Sequence, residues 1–207
     1  DVALAHNGNL TNYLELRSMA EERGLITEGD TSSDTAVMSA LLADGVGDDN
    51  SILDSAARLL PHVQGAFSLT FTDGNTLYAA RDPHGVRPLV LGRLERGWVV
   101  ASETSALDIV GASFVREVEP GEFIAIDEDG LRSHRFAEAR RAACVFEYVY
   151  LARPDTRIAG REVYDARVDM GRALARRHPV EADMVMPVPE SGVPSAIGYA
   201  EESGIPY

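Results

Sequence analysis

The hydrophobic period of this chain changes near Ala66, and that change decides most of what its first part can fold into. Before it, apolar residues recur at helical spacing. Asn12 is placed to cap a first helix, with Glu15 completing a capping box, and Leu16, Met19, Ala20 and Arg23 share one face up to Gly24. A second helix is expected from Ser32 or Ser33, burying Val37, Met38, Leu41 and Leu42 and stopping at Gly45. A third runs from Ser51 through Ile52, Ala56, Leu59 and Leu60 to Pro61, which ends or kinks it. After Ala66 the pattern alternates: Phe67, Leu69 and Phe71 face one way, Asp73-Gly74-Asn75 turns, and TLYAA returns. Short runs at RPLVLGR, WVVASE, GEFIAIDEDG and LRSHRF continue it, so residues 66–136 read as an antiparallel β-rich layer with the helices stacked on it.

A third rhythm follows the basic cluster EARRAA. REVYDARVDMGRALARR reads as a helix, ADMVMPVP as a nearly continuous apolar strand, and VPSAIGYAEESG as a helix ending at Gly204. Helix, buried strand, short loop and helix is the grammar of a parallel α/β sheet. The expected organisation is therefore a first domain over 1–139, a linker over 140–156 and a second domain over 157–207, with no internal repeat or low-complexity tract.

A formal charge of −14 gives a surface field that repels phosphate backbones, which argues against nucleic acid as a partner. No stretch approaches the roughly 18 apolar residues of a membrane helix. The single cysteine, Cys144, excludes an internal disulfide and suits a reducing compartment, so a cytoplasmic location is expected. The first residue is Asp1 rather than Met and the last residues, SGIPY, read as the lead-in to a strand; the expectation is a piece lacking both ends.

Several short motifs admit two readings. In His6-Asn7-Gly8, a side-chain amide and an unhindered glycine N–H are two donors that can converge on an oxyanion, but Asn-Gly is also a frequent turn. Asp34 in TSSDTAVM is either a helix-start acid or a carboxylate able to grip a substrate ammonium. Pro189-Glu190-Ser191-Gly192 lies between a strand and a helix, where parallel sheets bind phosphorylated ligands, or is a plain connecting turn. Cys144 by itself is a small buried apolar residue. Arg81, Asp82, Arg87 and Glu103 read as an ion network bracing the β layers, and Arg153 and Asp155 as the start of the second half, able to pair across the linker. The five histidines show no metal spacing.

Together, HNGNLTNYLELR, SSDTAV, GAFSL, RDPHGVRPLVLG and ASETSAL make residues 1–136 resemble the glutamine-hydrolysing domain of class II amidotransferases. CVFEYVYLARPDT and EADMVMPVPESGVPSAIGYAEESGIPY resemble the amidophosphoribosyltransferase branch of that family. The resemblance implies a four-layer αββα N-terminal-nucleophile hydrolase fold followed by the start of a phosphoribosyltransferase-type parallel α/β domain. It implies that Asn7 and Gly8 form the oxyanion hole, that Asp34 takes the glutamine α-amino group, and that Glu190, Ser191 and Gly192 form the phosphoribosyl pyrophosphate loop. Where the family usually reads Asp-Thr-Glu, this chain has Asp34-Thr35-Ala36.

The implied cofactors are magnesium, near Ser191, and, in one branch, a 4Fe–4S cluster with Cys144 as its first thiolate. The implied activity is glutamine-dependent transfer of ammonia to phosphoribosyl pyrophosphate, giving phosphoribosylamine at the first step of purine synthesis. Purine nucleotides are the implied inhibitors and a homo-oligomer the implied assembly. In the family the nucleophilic cysteine and an arginine for the glutamine carboxylate lie upstream of His6, and the acidic phosphoribosyl motif downstream of Tyr207, so the 207 residues alone are expected to be inactive. A noncatalytic binding or regulatory homologue and a different class II synthase are the alternatives.

Overall fold

The structure, a computed structural model, describes residues 2–27, 33–44, 46 and 51–207. These form two compact units, the first containing residues 1–102 and 115–143, the second 103–114 and 144–207.

The first unit opens with strand β1 (Ala3–Leu10), then helices α1 (Tyr13–Glu22), α2 (Asp34–Ala43) and α3 (Ile52–Leu59). The apolar stripes read from the sequence are the buried ones: Leu16, Val37, Met38, Leu41, Leu42, Ile52 and Ala56 are almost wholly shielded. Ser51 and Asp54 form a reciprocal capping box at the start of α3. Asn12 does not cap α1. Its amide instead donates to His62 O at 3.0 Å and accepts from Gln64 N at 3.0 Å, because a side chain held by backbone fifty residues away is not free to satisfy its own helix. The positions Ser32 and Gly45, expected at the ends of α2, lie outside the described residues.

β2 (Gly65–Thr72) and β3 (Leu77–Arg81) make the expected hairpin. After β4 (Val90–Leu94), β5 (Gly97–Ala101), α4 (Thr104–Ile109) and β6 (Ser113–Glu117) come β7 (Glu122–Asp127) and β8 (Gly130–Arg135). One sheet runs β1-β2-β3-β7-β8 and a second β5-β4-β6. Side chains alternate across each strand. Phe67, Leu69, Phe71, Phe123 and Ala125 therefore pack under the helices, whereas Ala79, Ile124 and Ile126 meet Leu89, Leu91 and Val118 between the sheets. The result is a helix layer, a sheet and a second sheet.

Glu122 sits at the start of β7, 4% exposed, and accepts two bonds from Arg116 (2.7 and 2.6 Å), one from Ser133 Oγ (2.6 Å) and one from Glu119 N (2.6 Å). Burial alone would raise its pKa, but the bonds from Arg116, Ser133 and Glu119 N, with the Arg116 charge, outweigh it and hold the carboxyl below the usual glutamate value. On acidification the unfolded chain thus takes the proton first. The stability this carboxylate contributes is complete above the unfolded glutamate pKa and is lost as the pH falls through the lower folded one. Urea titrations should show a steeper acid loss for the natural chain than for Glu122→Gln; parallel curves would contradict this.

The second unit carries α4, a π-helical turn (Glu147–Leu151), a two-stranded antiparallel ribbon of β9 (Arg157–Ile158) and β10 (Arg161–Glu162), and helices α5 (Val163–Arg177) and α6 (Val193–Ser203). Arg167, 2% exposed, donates to Tyr148 O (2.6 Å) and Ala152 O (2.8 Å), tying α5 to that turn. The run expected as a buried strand, ADMVMPVP, joins no ladder among the described residues. Val185 N donates to Pro206 O at 2.8 Å, and Met184, Met186 and Val188 are exposed. A strand needs a neighbour's peptide groups as well as an apolar sequence.

α5 and α6 cross at two glycines. A Cβ at Gly198 would lie 2.0 Å from Val168 O, and one at Gly171 would lie 1.9 Å from Ser195 O. Gly198→Ala gains about 1 kcal/mol of helix propensity but must push two backbones apart, which costs about 3 kcal/mol or more. A net loss of roughly 2 kcal/mol is expected, read as a lower urea midpoint; an unchanged midpoint would show that the helices do not meet there.

Candidate active site

His6-Asn7-Gly8 is not a turn: all three residues lie in β1, paired antiparallel with β2, with His6 opposite Leu69, Asn7 opposite Ser68 and Gly8 opposite Phe67. Phe67 N donates to Asp82 Oδ2 (3.2 Å) and Phe67 O accepts from Asp82 N (2.9 Å), so both its peptide groups face β3. In an antiparallel ladder the two groups of a residue point to the same side, and pairs alternate. The N–H of Gly8 therefore points away from β2, to the open side of β1, which forms one edge of the sheet. Gly8 has φ +143° and a Cβ there would stand 2.0 Å from Ala66 O, so the close passage of the two strands requires glycine.

Asn7 projects between the two sheets. Its Oδ1 accepts from an Arg87 guanidinium nitrogen at 3.0 Å, beside a cleft of about 180 Å³ whose walls include Ser68, Thr70, Leu89, Val100 and Ser102. A guanidinium only donates, so the atom facing it must be the amide oxygen, and the NH₂ is left to point elsewhere.

His6, the neighbour of Asn7, projects to the opposite face. Its side chain is 2% exposed, and Nδ1 lies 3.4 Å from Asp34 Oδ2. Its Nε2 is buried with no hydrogen-bond partner among the described residues. Asp34 is the first residue of α2, where its charge interacts favourably with the helix dipole; Oδ1 accepts from Thr35 N at 2.8 Å. The structure thus joins Asp34 to the motif through His6, on the helical side of β1, while Asn7 occupies the other side. Both flank the edge on which Gly8 presents its N–H.

The remaining sequence candidates belong to the second unit. Glu190, Ser191 and Gly192 form a tight turn leading into α6, with Glu190 exposed and Val193 N donating to Glu190 O at 3.2 Å. Cys144 is a half-buried free thiol. Arg153 grips Asp155 with two bonds, 2.9 and 2.8 Å, and this bond is the chief reason the Asp155 carboxyl lies below its ordinary value. Among the described residues no group of three or more His, Cys, Asp or Glu side chains could hold a metal ion. One thiolate alone cannot hold an iron–sulfur cluster.

A family model described as a glutamine amidotransferase domain matches residues 1–109 of the 207. The chain belongs to the glutamine amidotransferase domain family. Over its whole length this amidotransferase chain is 62% identical to an amidophosphoribosyltransferase of Mycobacterium tuberculosis and 44% identical to one of Archaeoglobus fulgidus, covering 40% and 45% of those proteins. It superposes with a TM-score of 0.93 on the glutamine phosphoribosylpyrophosphate amidotransferase of B. subtilis, solved with ADP and GMP; identity is 43%, covering all of this chain and 45% of that one. Its fold is that of the glutamine domain of these enzymes, an N-terminal-nucleophile hydrolase sandwich, leading into the second unit. The chain spans less than half the length of these relatives.

Two residues in contact with the candidate site of this amidotransferase domain were not legible as such. Arg87 read as part of a single ion network with Arg81, Asp82 and Glu103. The structure separates them: Arg81 pairs with Glu117 at 3.1 Å, Asp82 accepts backbone N–H groups, Glu103 accepts from Arg153 N, and Arg87 reaches Asn7. His6 read only as a member of the tripeptide. The alternation of a strand would have shown that it and Asn7 face opposite ways, had the polar triplet been recognised as strand.

Proposed function

We propose that this chain supplies the glutamine site, and the opening part of the phosphoribosyl site, of an amidophosphoribosyltransferase. Glutamine lies along the open edge of β1, its α-ammonium on the helical side at Asp34 and its side-chain carbonyl toward Gly8 N–H and the Asn7 NH₂. A cysteine thiolate provided upstream of His6 attacks the amide carbon, forming a C–S bond. The oxygen takes up negative charge between the two donors, and collapse breaks the C–N bond and releases ammonia with a proton returned from the nucleophile's own α-amino group. Water then frees glutamate from the thioester. Asp34 and His6 hold one end of the substrate while the donors act on the other, so recognition and charge stabilisation stay on separate residues.

Ammonia displaces pyrophosphate from C1 of phosphoribosyl pyrophosphate, giving phosphoribosylamine. The turn Glu190-Ser191-Gly192 offers a hydroxyl and peptide N–H groups at the start of α6 to its phosphates. Magnesium would arrive with those phosphates, since this ion is typically held by ligand oxygens and water with few protein donors; Ser191 and Glu190 are the hard oxygen groups this chain offers, and the bound ion would stabilise the departing pyrophosphate. By likeness to the relative solved with ADP and GMP, purine nucleotides are the proposed inhibitors, in a cytoplasmic homo-oligomer.

The observation that carries the proposal is that identity to amidophosphoribosyltransferases runs through both units and not the glutamine domain alone. The complete protein should form phosphoribosylamine from phosphoribosyl pyrophosphate with either glutamine or ammonia as nitrogen source. Absence of phosphoribosyl pyrophosphate turnover with both would reject it.

A further inference from the structure

The segment Asp82–Leu89 is fastened at nearly every residue. The buried Asp82 carboxylate accepts from Phe67 N (3.2 Å), His84 N (2.8 Å) and Val86 N (3.2 Å). Gly85, at φ +63° with no room for a Cβ against Pro120, has its carbonyl held by an Arg81 guanidinium nitrogen at 3.1 Å. The Arg87 carbonyl accepts from Arg81 Nε (2.8 Å) and from Ser68 Oγ (3.1 Å), and Ser68 is the residue directly opposite Asn7 in the β1–β2 register. A loop of this construction delivers its arginine to one place. That place is the Asn7 amide oxygen, eighty residues earlier in the sequence.

An asparagine amide has two faces of opposite polarity, and a free one rotates between them. Only one orientation presents N–H groups to an oxyanion; the other presents a lone pair and would repel it. A donor-only cation on the oxygen makes the wrong orientation costly and also draws electron density from the amide, strengthening its N–H donors. We infer that Arg87 is a positioning residue for glutamine hydrolysis, fixing the Asn7 side chain with its NH₂ toward the developing oxyanion. This rests on the oxyanion role of Asn7 proposed above. It adds that the loop Asp82–Leu89 is the part of the fold that sets the donor's direction.

The test is glutamine hydrolysis by the complete protein carrying Asn7→Ala, Arg87→Met, Arg87→Lys and the double change Asn7→Ala/Arg87→Met. Arg87→Met should lower kcat about 10- to 100-fold with KM within about threefold, because the donor acts on the transition state and not on bound glutamine. Arg87→Lys, which still donates, should recover most of the loss. The double variant should be no slower than Asn7→Ala alone, since both changes remove one interaction. The inference is overturned if Asn7→Ala is slow while Arg87→Met keeps its kcat, if Arg87→Met raises KM instead, or if the two losses multiply. If Asn7→Ala itself keeps its kcat, the oxyanion reading has failed, and the inference with it. Should Arg87→Met not fold, Arg87→Gln replaces it: its amide can donate or accept against Asn7 and so dictates no orientation. The same loss of kcat is then expected, and a natural kcat overturns the proposal.

Discussion

Gly8→Ala should cost the complete protein at least about a hundredfold in glutamine hydrolysis and lower its unfolding free energy by roughly 2–4 kcal/mol. The methyl group would stand 2.0 Å from Ala66 O, 2.8 Å from Ala66 C and 3.0 Å from the Phe67 Cα. All three are backbone atoms, so no rotamer change relieves the clash, and φ +143° adds strain for any residue with a Cβ. β1 must lift from β2 or slip along it. A one-residue slip would exchange the faces of His6 and Asn7, breaking both the Asp34 and the Arg87 contacts. A displacement of about 1 Å is enough to misplace the donors. Urea unfolding and a glutamate-release assay check the two effects, and near-natural values in both would mean that the strands do not pass as closely as described.

Asp34→Asn should reduce kcat/KM for glutamine by roughly 100-fold, chiefly through KM. Truncating one member of a desolvated charge pair costs about 2–5 kcal/mol, and about 1.4 kcal/mol corresponds to a factor of ten. The substitution keeps the size of the side chain and its bond from Thr35 N, so the fold should lose only about 0.5–1 kcal/mol from the weaker interaction with the helix N-terminus. His6, 3.4 Å away, retains a polar neighbour. Initial rates over a range of glutamine concentrations separate the cases: a fall in kcat at constant KM would take the ammonium away from Asp34.

The parts of this fold that were legible are those in which a local pattern and a tertiary partner agree. Val37, Met38, Leu41 and Leu42 announce α2, and Phe67, Leu69 and Phe71 announce β2, because each stripe is buried by one continuous neighbour. ADMVMPVP has the composition of a strand but lacks the ladder that makes one among the described residues. β1 failed in the opposite sense: a polar triplet with Asn-Gly looks like a turn, and only pairing with β2 holds it extended. Asn12 carries a sound capping signal that two distant peptide groups override.

The site divides along the same line. Asn7, Gly8 and Asp34 were nominated by resemblance, and the structure supplies the reasons for a glycine and for a first-turn acid at those positions. The contacts of Arg87 with Asn7 and of His6 with Asp34 join residues far apart in the chain, and no spacing rule in a single sequence records them.

β1 and β2 are partners across the sheet, Leu10 opposite Gly65, yet the whole helical layer is threaded between them. Each end of that excursion is therefore sewn into the same ladder. One proteolytic cut between the two strands should leave both halves holding on to each other, copurifying as a nicked pair that separates only in denaturant.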